Sequence, residues 1–146
     1  MKSILLAATA FFFSVAVMAQ TKADDVAKMN TEKYDFGKIK QNVPVTYFFE
    51  IKNTTDKPVV VENSWGSCGC TTPETPKEPI QPGQSTKLKV VYNAAALGVF
   101  NKDVNIKFAG IEQPKVVKIT GEVLDAAAYD TYAKSKGASK SKSASN

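Results

Sequence analysis

Cys68 and Cys70 are the only cysteines in the 146-residue chain; they flank Gly69 and follow the only tryptophan, Trp65. Any thiol chemistry must run through this pair, and four chemistries are open to it. The first is a local disulfide. Residues two apart in an extended strand have Cα atoms about 6.5–7 Å apart, at or beyond the usual reach of a bridge. A turn at Gly69 shortens that distance, and glycine permits the turn. The ring so closed is small, and chain entropy gives it only about 1.6 kcal/mol of stabilisation. The second is a reduced pair packed as small hydrophobes near Trp65. The third is a metal: two soft thiolates at this spacing suit copper(I) better than zinc. Once an export signal is removed, Met29 is the one methionine left to add to them. The fourth is thiol–disulfide exchange, with Cys68 attacking and Cys70 resolving, which needs a depressed thiol pKa.

The composition removes other chemistries. There is no histidine, so serine–histidine and cysteine–histidine catalysis are excluded within the chain. The commonest metal ligand and general base is missing as well. All nineteen basic residues are lysines, which removes bidentate reading of phosphate or guanine and argues against a nucleic-acid partner. The net charge of +5 is not concentrated in the domain. Between Met29 and Leu124 twelve lysines face ten acidic residues, while Lys134, Lys136, Lys140 and Lys142 lie near the C-terminus. Glu74 and Glu78 stand four apart in a proline-rich stretch where nothing fixes the separation a carboxylate pair requires. They read as solvated loop residues.

The elements that must position the cysteines follow from patterning. Lys2 followed by an apolar run over residues 4–17 and a small residue at Ala19 reads as a signal peptide, residues 1–19, cleaved between Ala19 and Gln20. That run is shorter than the roughly 20 residues of a membrane span. The mature chain is therefore expected to be exported, periplasmic or secreted, where disulfides are permitted. Residues 20–30 read as a polar linker. Val43, Val45, Tyr47, Phe49 and Ile51 then occupy every second position, with Phe48 on the outer face. Thr86, Leu88, Val90 and Tyr92 repeat the alternation, as do Val104, Ile106 and Phe108, and then Val117, Ile119 and Val123. Gly121 falls on the inner face and admits a close neighbour. Val59 to Val61 read as a strand, residues 64–79 as a loop carrying the cysteines and three prolines, and residues 94–97 as one helical turn. Pro82-Gly83 marks a turn. Trp65 is expected to cover one end of the fold, with ligand stacking as its other role.

Seven to eight short alternating strands with regular turn signals predict an all-β, immunoglobulin-like antiparallel sandwich over residues 31–124, with a β-barrel as the structural alternative. Asp125 caps a short helix through Tyr132. From Ala133 onward only Ala, Ser, Lys, Gly and Asn occur, too little apolar surface to offset ordering entropy, so the tail within 125–146 is expected to be disordered.

One series of residues resembles a known family. It runs Phe36-Gly37-x-Ile39, Asn53, Cys68-Gly69-Cys70-Thr71, Pro79-Ile80-x-Pro82-Gly83, Val90-x-Tyr92-Asn93, Gly98-x-Phe100 and Ile119-x-Gly121-x-Val123. It is similar to the exported bacterial domain of unknown function 1573, related to the major-sperm-protein and ciliary-type sandwich modules. The resemblance covers residues 33–123. Asn42 stands where that family often has glycine, and asparagine also accepts positive φ. Phe108-Ala109-Gly110 replaces a more usual Ser-Asn turn. The resemblance implies the sandwich fold and no established activity.

Together these observations predict a non-enzymatic, exported binding or scaffolding module with no cofactor. Its partner is expected to be a protein or envelope component, met at a sheet edge or around Trp65, Cys68 and Cys70. The alternative is a redox or copper(I)-handling protein built on the Cys-Gly-Cys motif.

Overall fold

A computed structural model describes residues 21–142. The expected signal peptide and the Ala19/Gln20 cleavage point lie outside the described residues. The elements run α1 (Ala23–Val26), β1 (Ala27–Met29), β2 (Lys33–Lys40), β3 (Val45–Asn53), β4 (Val61–Gly66), β5 (Thr71–Glu74), β6 (Ser85–Tyr92), β7 (Gly98–Phe108), β8 (Lys115–Leu124) and α2 (Ala126–Lys142). The strands form two four-stranded sheets, ordered β1-β3-β6-β5 and β2-β8-β7-β4. The predicted sandwich is present, with eight strands, two of which, β1 and β5, lie where a linker and a loop were expected.

Alternation places the core. Phe49 and Ile51 of β3 and Leu88, Val90 and Tyr92 of β6 face Val104, Ile106 and Phe108 of β7 and Val117, Ile119 and Val123 of β8, all buried between the sheets. Each large side chain so buried contributes about 1.5–3 kcal/mol. Tyr92 stacks on Phe100 at 4.1 Å between ring centroids. Gly121 is the close approach its inner position predicted: a Cβ there would lie 2.7 Å from the Phe100 ring and 2.8 Å from the Gly37 carbonyl oxygen.

Several family-motif residues prove to be structural. Gly37 has φ +66 at the bulge in β2, and its N–H donates to Asp35 Oδ1 at 2.8 Å. Asn42 takes φ +58, as its turn requires. Asn53 is fully buried and saturated. Its amide N–H groups donate to the Lys57 carbonyl at 2.7 Å and the Ile80 carbonyl at 2.8 Å, and its Oδ1 accepts from the Thr55 backbone and hydroxyl. It pins two loops to the end of β3.

Four expectations need correction. Residues 21–30 are not a linker: Ala23 and Ala27 are buried in the core, β1 pairs with β3, and buried Lys115 clamps the segment through Asp24, at 2.6 Å, and Glu32. Residues 94–97 make no helical turn. Ala94 is buried at φ +54 and the Asn93 side chain accepts the Ala95 N–H, which holds the chain in an irregular link. The sandwich is not wholly antiparallel, because the first long strand, β2, joins the last, β8, in parallel at the edge of its sheet. Finally, α2 does not stop at Tyr132 but continues through Lys142. Asp125 caps it, its Oδ1 accepting the Ala128 N–H at 2.8 Å. Its first turns are held by a Lys40–Asp130 pair at 3.1 Å and by the Lys38 ammonium 5.2 Å from the Tyr132 ring centroid. The continuation over residues 133–142, four lysines and two alanines among three serines and a glycine, extends this capped and anchored first part. No helix among the described residues is long and apolar enough to cross a membrane.

Candidate functional site

The cysteines lie where the chain leaves one sheet for the other. β4 is the edge of its sheet and β5 the edge of the other, and both edges fall on the same side of the sandwich. The intervening residues must cross between the layers in a short corner. Residues expected to be a loop, 64–79, are therefore largely strand, with β4 reaching Gly66 and β5 beginning at Thr71.

The corner is a tight turn in which the Thr71 N–H donates to the Cys68 carbonyl at 3.2 Å. It brings the Cys68 and Cys70 Cα atoms to 5.2 Å, inside the range a bridge spans, and the two sulfurs are bonded. Of the four thiol chemistries, the structure holds the local disulfide, made possible by the turn about Gly69. In this state neither sulfur is a thiolate, so neither offers copper(I) a ligand. Met29 stands on β1, at the opposite edge of the sheet from β5. Among the described residues, no group of three or more His, Cys, Asp or Glu side chains converges on a point that could hold a metal.

Backbone bonds hold the corner on both sides. The Ser67 N–H donates to the Asp103 carbonyl at 2.9 Å and the Asp103 N–H to Ser67 Oγ at 3.1 Å, tying it to β7. The Asn93 N–H donates to the Cys70 carbonyl at 3.0 Å, tying it to the end of β6. Thr71 is 3 % exposed, with its hydroxyl 3.7 Å from Cys68 Sγ and 3.9 Å from Cys70 Sγ. Ser64 and Thr75 share a 2.6 Å hydroxyl–hydroxyl hydrogen bond between the two strands' neighbourhoods. Cys70 packs against the core. Tyr92, which pairs with Thr71 across β5 and β6, has its phenol pKa raised by burial.

Sequence reasoning passed over Gly66, which sets how closely the layers approach. A Cβ on Gly66 would lie 2.2 Å from the Thr71 carbonyl oxygen and 2.8 Å from Thr71 Cβ. A glycine inside a strand, just before a motif, is itself a sign of close backbone approach. Gly69, at the centre of the motif, meets nothing within 4 Å.

Trp65 does not cover an end of the sandwich. It is 41 % exposed on the outer face of β4. The register of β4 shifts between Val61 and Asn63, which turns Ser64 inward and Trp65 outward. In register across the sheet, Trp65 stands beside Asn105 and Asn105 beside Val116, itself 40 % exposed. The corner's bonds to β7 fix the strand that carries this row. Glu74 lies on β5, paired with Lys89 at 2.7 Å, rather than in a loop.

Solved structures share this architecture at low identity. A Porphyromonas gingivalis W83 protein of unknown function is 18 % identical with a TM-score of 0.57. The match covers 76 % of this chain and 51 % of that one, so the chain spans about half the length of that relative. The ASH / PapD-like domain 7 of human CEP192 is 8 % identical with a TM-score of 0.55, covering 82 % of this chain and 99 % of the domain. The CupB2 chaperone of Pseudomonas aeruginosa is 12 % identical with a TM-score of 0.50, covering 66 % of this chain and 55 % of the chaperone. At these identities the likeness shows the fold. No curated protein matches the sequence. The family model described as "Protein of unknown function (DUF1573)" matches residues 27–123, beginning at β1 and ending in β8. With its Cys-Gly-Cys-Thr corner, buried Asn53 and close-approach Gly121 all within that span, the chain belongs to the DUF1573 family.

Proposed function

We propose that this protein is an exported, non-enzymatic module that binds a protein partner, with Trp65 as the aromatic anchor beside the Cys68–Cys70 corner. The observation that carries the reading is Trp65 itself. A large aromatic residue left 41 % exposed on a strand, in register with Asn105 and Val116, is a ready contact surface. Tyr, Trp and Arg dominate the energetics of protein interfaces, and a rigid aromatic loses little entropy on binding. The disulfide and the bonds from Ser67 to Asp103 serve the site by holding the strand that presents Trp65. The PapD-like fold, shared with a chaperone, supports a protein partner over a small-molecule substrate. The signal-peptide pattern of residues 1–19 supports export.

Two measurements test this. N-terminal sequencing of the protein from fractionated cells is expected to begin at Gln20, outside the cytoplasm; a cytoplasmic chain beginning at Met1 refutes export. Crosslinked partners captured on the purified protein are expected to be lost with Trp65→Ala at unchanged melting temperature. Equal capture by the variant refutes the anchor.

A further inference from the structure

We propose that the uncovered edge of β3, over residues 45–49, accepts an extended acidic peptide as an added strand. This goes beyond the Trp65 reading and rests on different residues, in the other sheet.

A sandwich of two open sheets has four edge strands, and here three are blunted. At β4, the Ser64 N–H is taken by Asn63 Oδ1 at 2.8 Å and the β5 crossing closes on Gly66. On β5, the Asn93 bond to the Cys70 carbonyl turns residues 70, 72 and 74 toward β6, so Pro73 faces outward with no N–H to offer. On β2, helix α2 packs beside Lys38 and Lys40. These are ordinary ways of protecting an edge.

The fourth edge is protected over only part of its length. β1 pairs with Ile51, Lys52 and Asn53. Asn30 then takes both backbone groups of Glu50: its N–H donates to the Glu50 carbonyl at 3.0 Å, and its Oδ1 accepts the Glu50 N–H at 2.9 Å. The chain next turns away into β2. Backbone groups of alternate residues point the same way in an antiparallel strand. Thr46 and Phe48 therefore aim their N–H and C=O groups along the same open side as Glu50. Among the described residues no strand pairs with them there. An incoming strand would continue where β1 stops.

The flanking side chains set the peptide's chemistry. On the outer face, Lys28, Lys52, Lys87 and Lys89 stand against Glu50 and Glu74, and Glu74 is already paired with Lys89. Phe48, 49 % exposed, lies in the same face. On the inner side the rim is aromatic, with Tyr34 stacked on Tyr47 at 3.6 Å. A strand alternating outward acidic residues with inward apolar ones meets both faces. Main-chain bonds supply affinity and the alternate side chains supply selection.

The test titrates the mature full-length protein with a capped peptide of alternating glutamate and valine, read by amide hydrogen exchange. With the peptide at ten times its Kd, exchange at Thr46 and Phe48 is expected to slow about tenfold. Binding should weaken as salt rises. Thr46→Pro removes one donor from an edge that bonds nothing, so the fold should stand and affinity should fall about tenfold. If that variant fails to fold, N-methylating alternate peptide bonds on the probe makes the same cut from the other side. A lysine–valine peptide should bind more weakly. No slowing at these two amides, slowing only elsewhere, or equal binding of the N-methylated peptide overturns the inference. Trp65→Ala should leave all of this unchanged, so failure here and failure of the Trp65 anchor are separate results.

Discussion

Gly66 and Gly69 flank the same corner three residues apart, and the structure assigns them opposite sensitivities. Alanine at Gly66 would set its Cβ 2.2 Å from the Thr71 carbonyl oxygen, where real Cβ atoms essentially never come within 3.0 Å. The obstacle is backbone, so no side-chain rotation relieves it. The backbone has little freedom to retreat: Thr71 pairs with Tyr92 and its N–H bonds the Cys68 carbonyl. The layers must part by about 0.8 Å, and overpacking of this kind costs roughly 1–3 kcal/mol or somewhat more. For a domain of this size that lowers Tm by about 4–12 °C. Gly69→Ala meets open space, and its φ lies outside the left-handed region. It should be neutral or stabilising by up to about 1 kcal/mol through reduced freedom of the unfolded chain. Urea and thermal unfolding of the two variants, each with the disulfide verified by mass, measure this directly. Gly66→Ala with wild-type stability, or Gly69→Ala as damaging as Gly66→Ala, would refute the close packing of β4 on β5.

Other consequences can be checked alongside. Asn53→Ala removes one of two donors from each of the Ile80 and Lys57 carbonyls, which keep the Val59 N–H and the Thr55 hydroxyl, and takes the acceptor from the Thr55 N–H; a loss of about 1–3 kcal/mol is expected in chemical denaturation. The double variant Cys68→Ser, Cys70→Ser opens only a three-residue ring, so unfolding should show a loss of no more than about 1.6 kcal/mol. At alkaline pH two groups act together. Burial presses the Lys115 pKa down, but the hydrogen bonds and charges of Asp24 and Glu32 outweigh it and the net shift is upward. Burial raises the Tyr92 phenol. Both groups hold their proton more tightly folded than unfolded. Their contribution is complete below the unfolded values and is lost as pH rises beyond about 10. Stability measured from pH 8 to 11 should fall at the upper end, and Tyr92→Phe with Lys115→Met should flatten that fall.

What the sequence made legible was alternation. β3, β6, β7 and β8 each carry period-two runs whose alternate apolar residues are buried, while Phe48, Val99 and Val116, out of phase with those runs, are exposed. The elements it hid are those where the period breaks or the segment is too short to show one. β1 is three residues long, β5 contains Pro73, and the register shift after Val61 reverses which residues of β4 face out. That shift put Trp65 outside, against the expectation of an end cap. Ala94 adopts positive φ without being glycine, so no residue type announced it. The cysteine pair was identified as the centre, but its bridge depended on the Cys68–Thr71 turn, which spacing alone left open. The tail has little apolar surface to bury, and its helix starts instead from the Asp125 cap and a few contacts with β2, which no periodicity announces.

The proposed protein-binding surface of Trp65 and its row can be tested in place. The most direct measurement places a photo-crosslinking benzoylphenylalanine at Asn105, the neighbour in register between Trp65 and Val116, in cells making the full-length chain. A discrete crosslinked protein adduct is expected, and it should disappear when Trp65→Ala is added while the fold persists. Irradiation that yields no adduct, or one indifferent to Trp65, would contradict it.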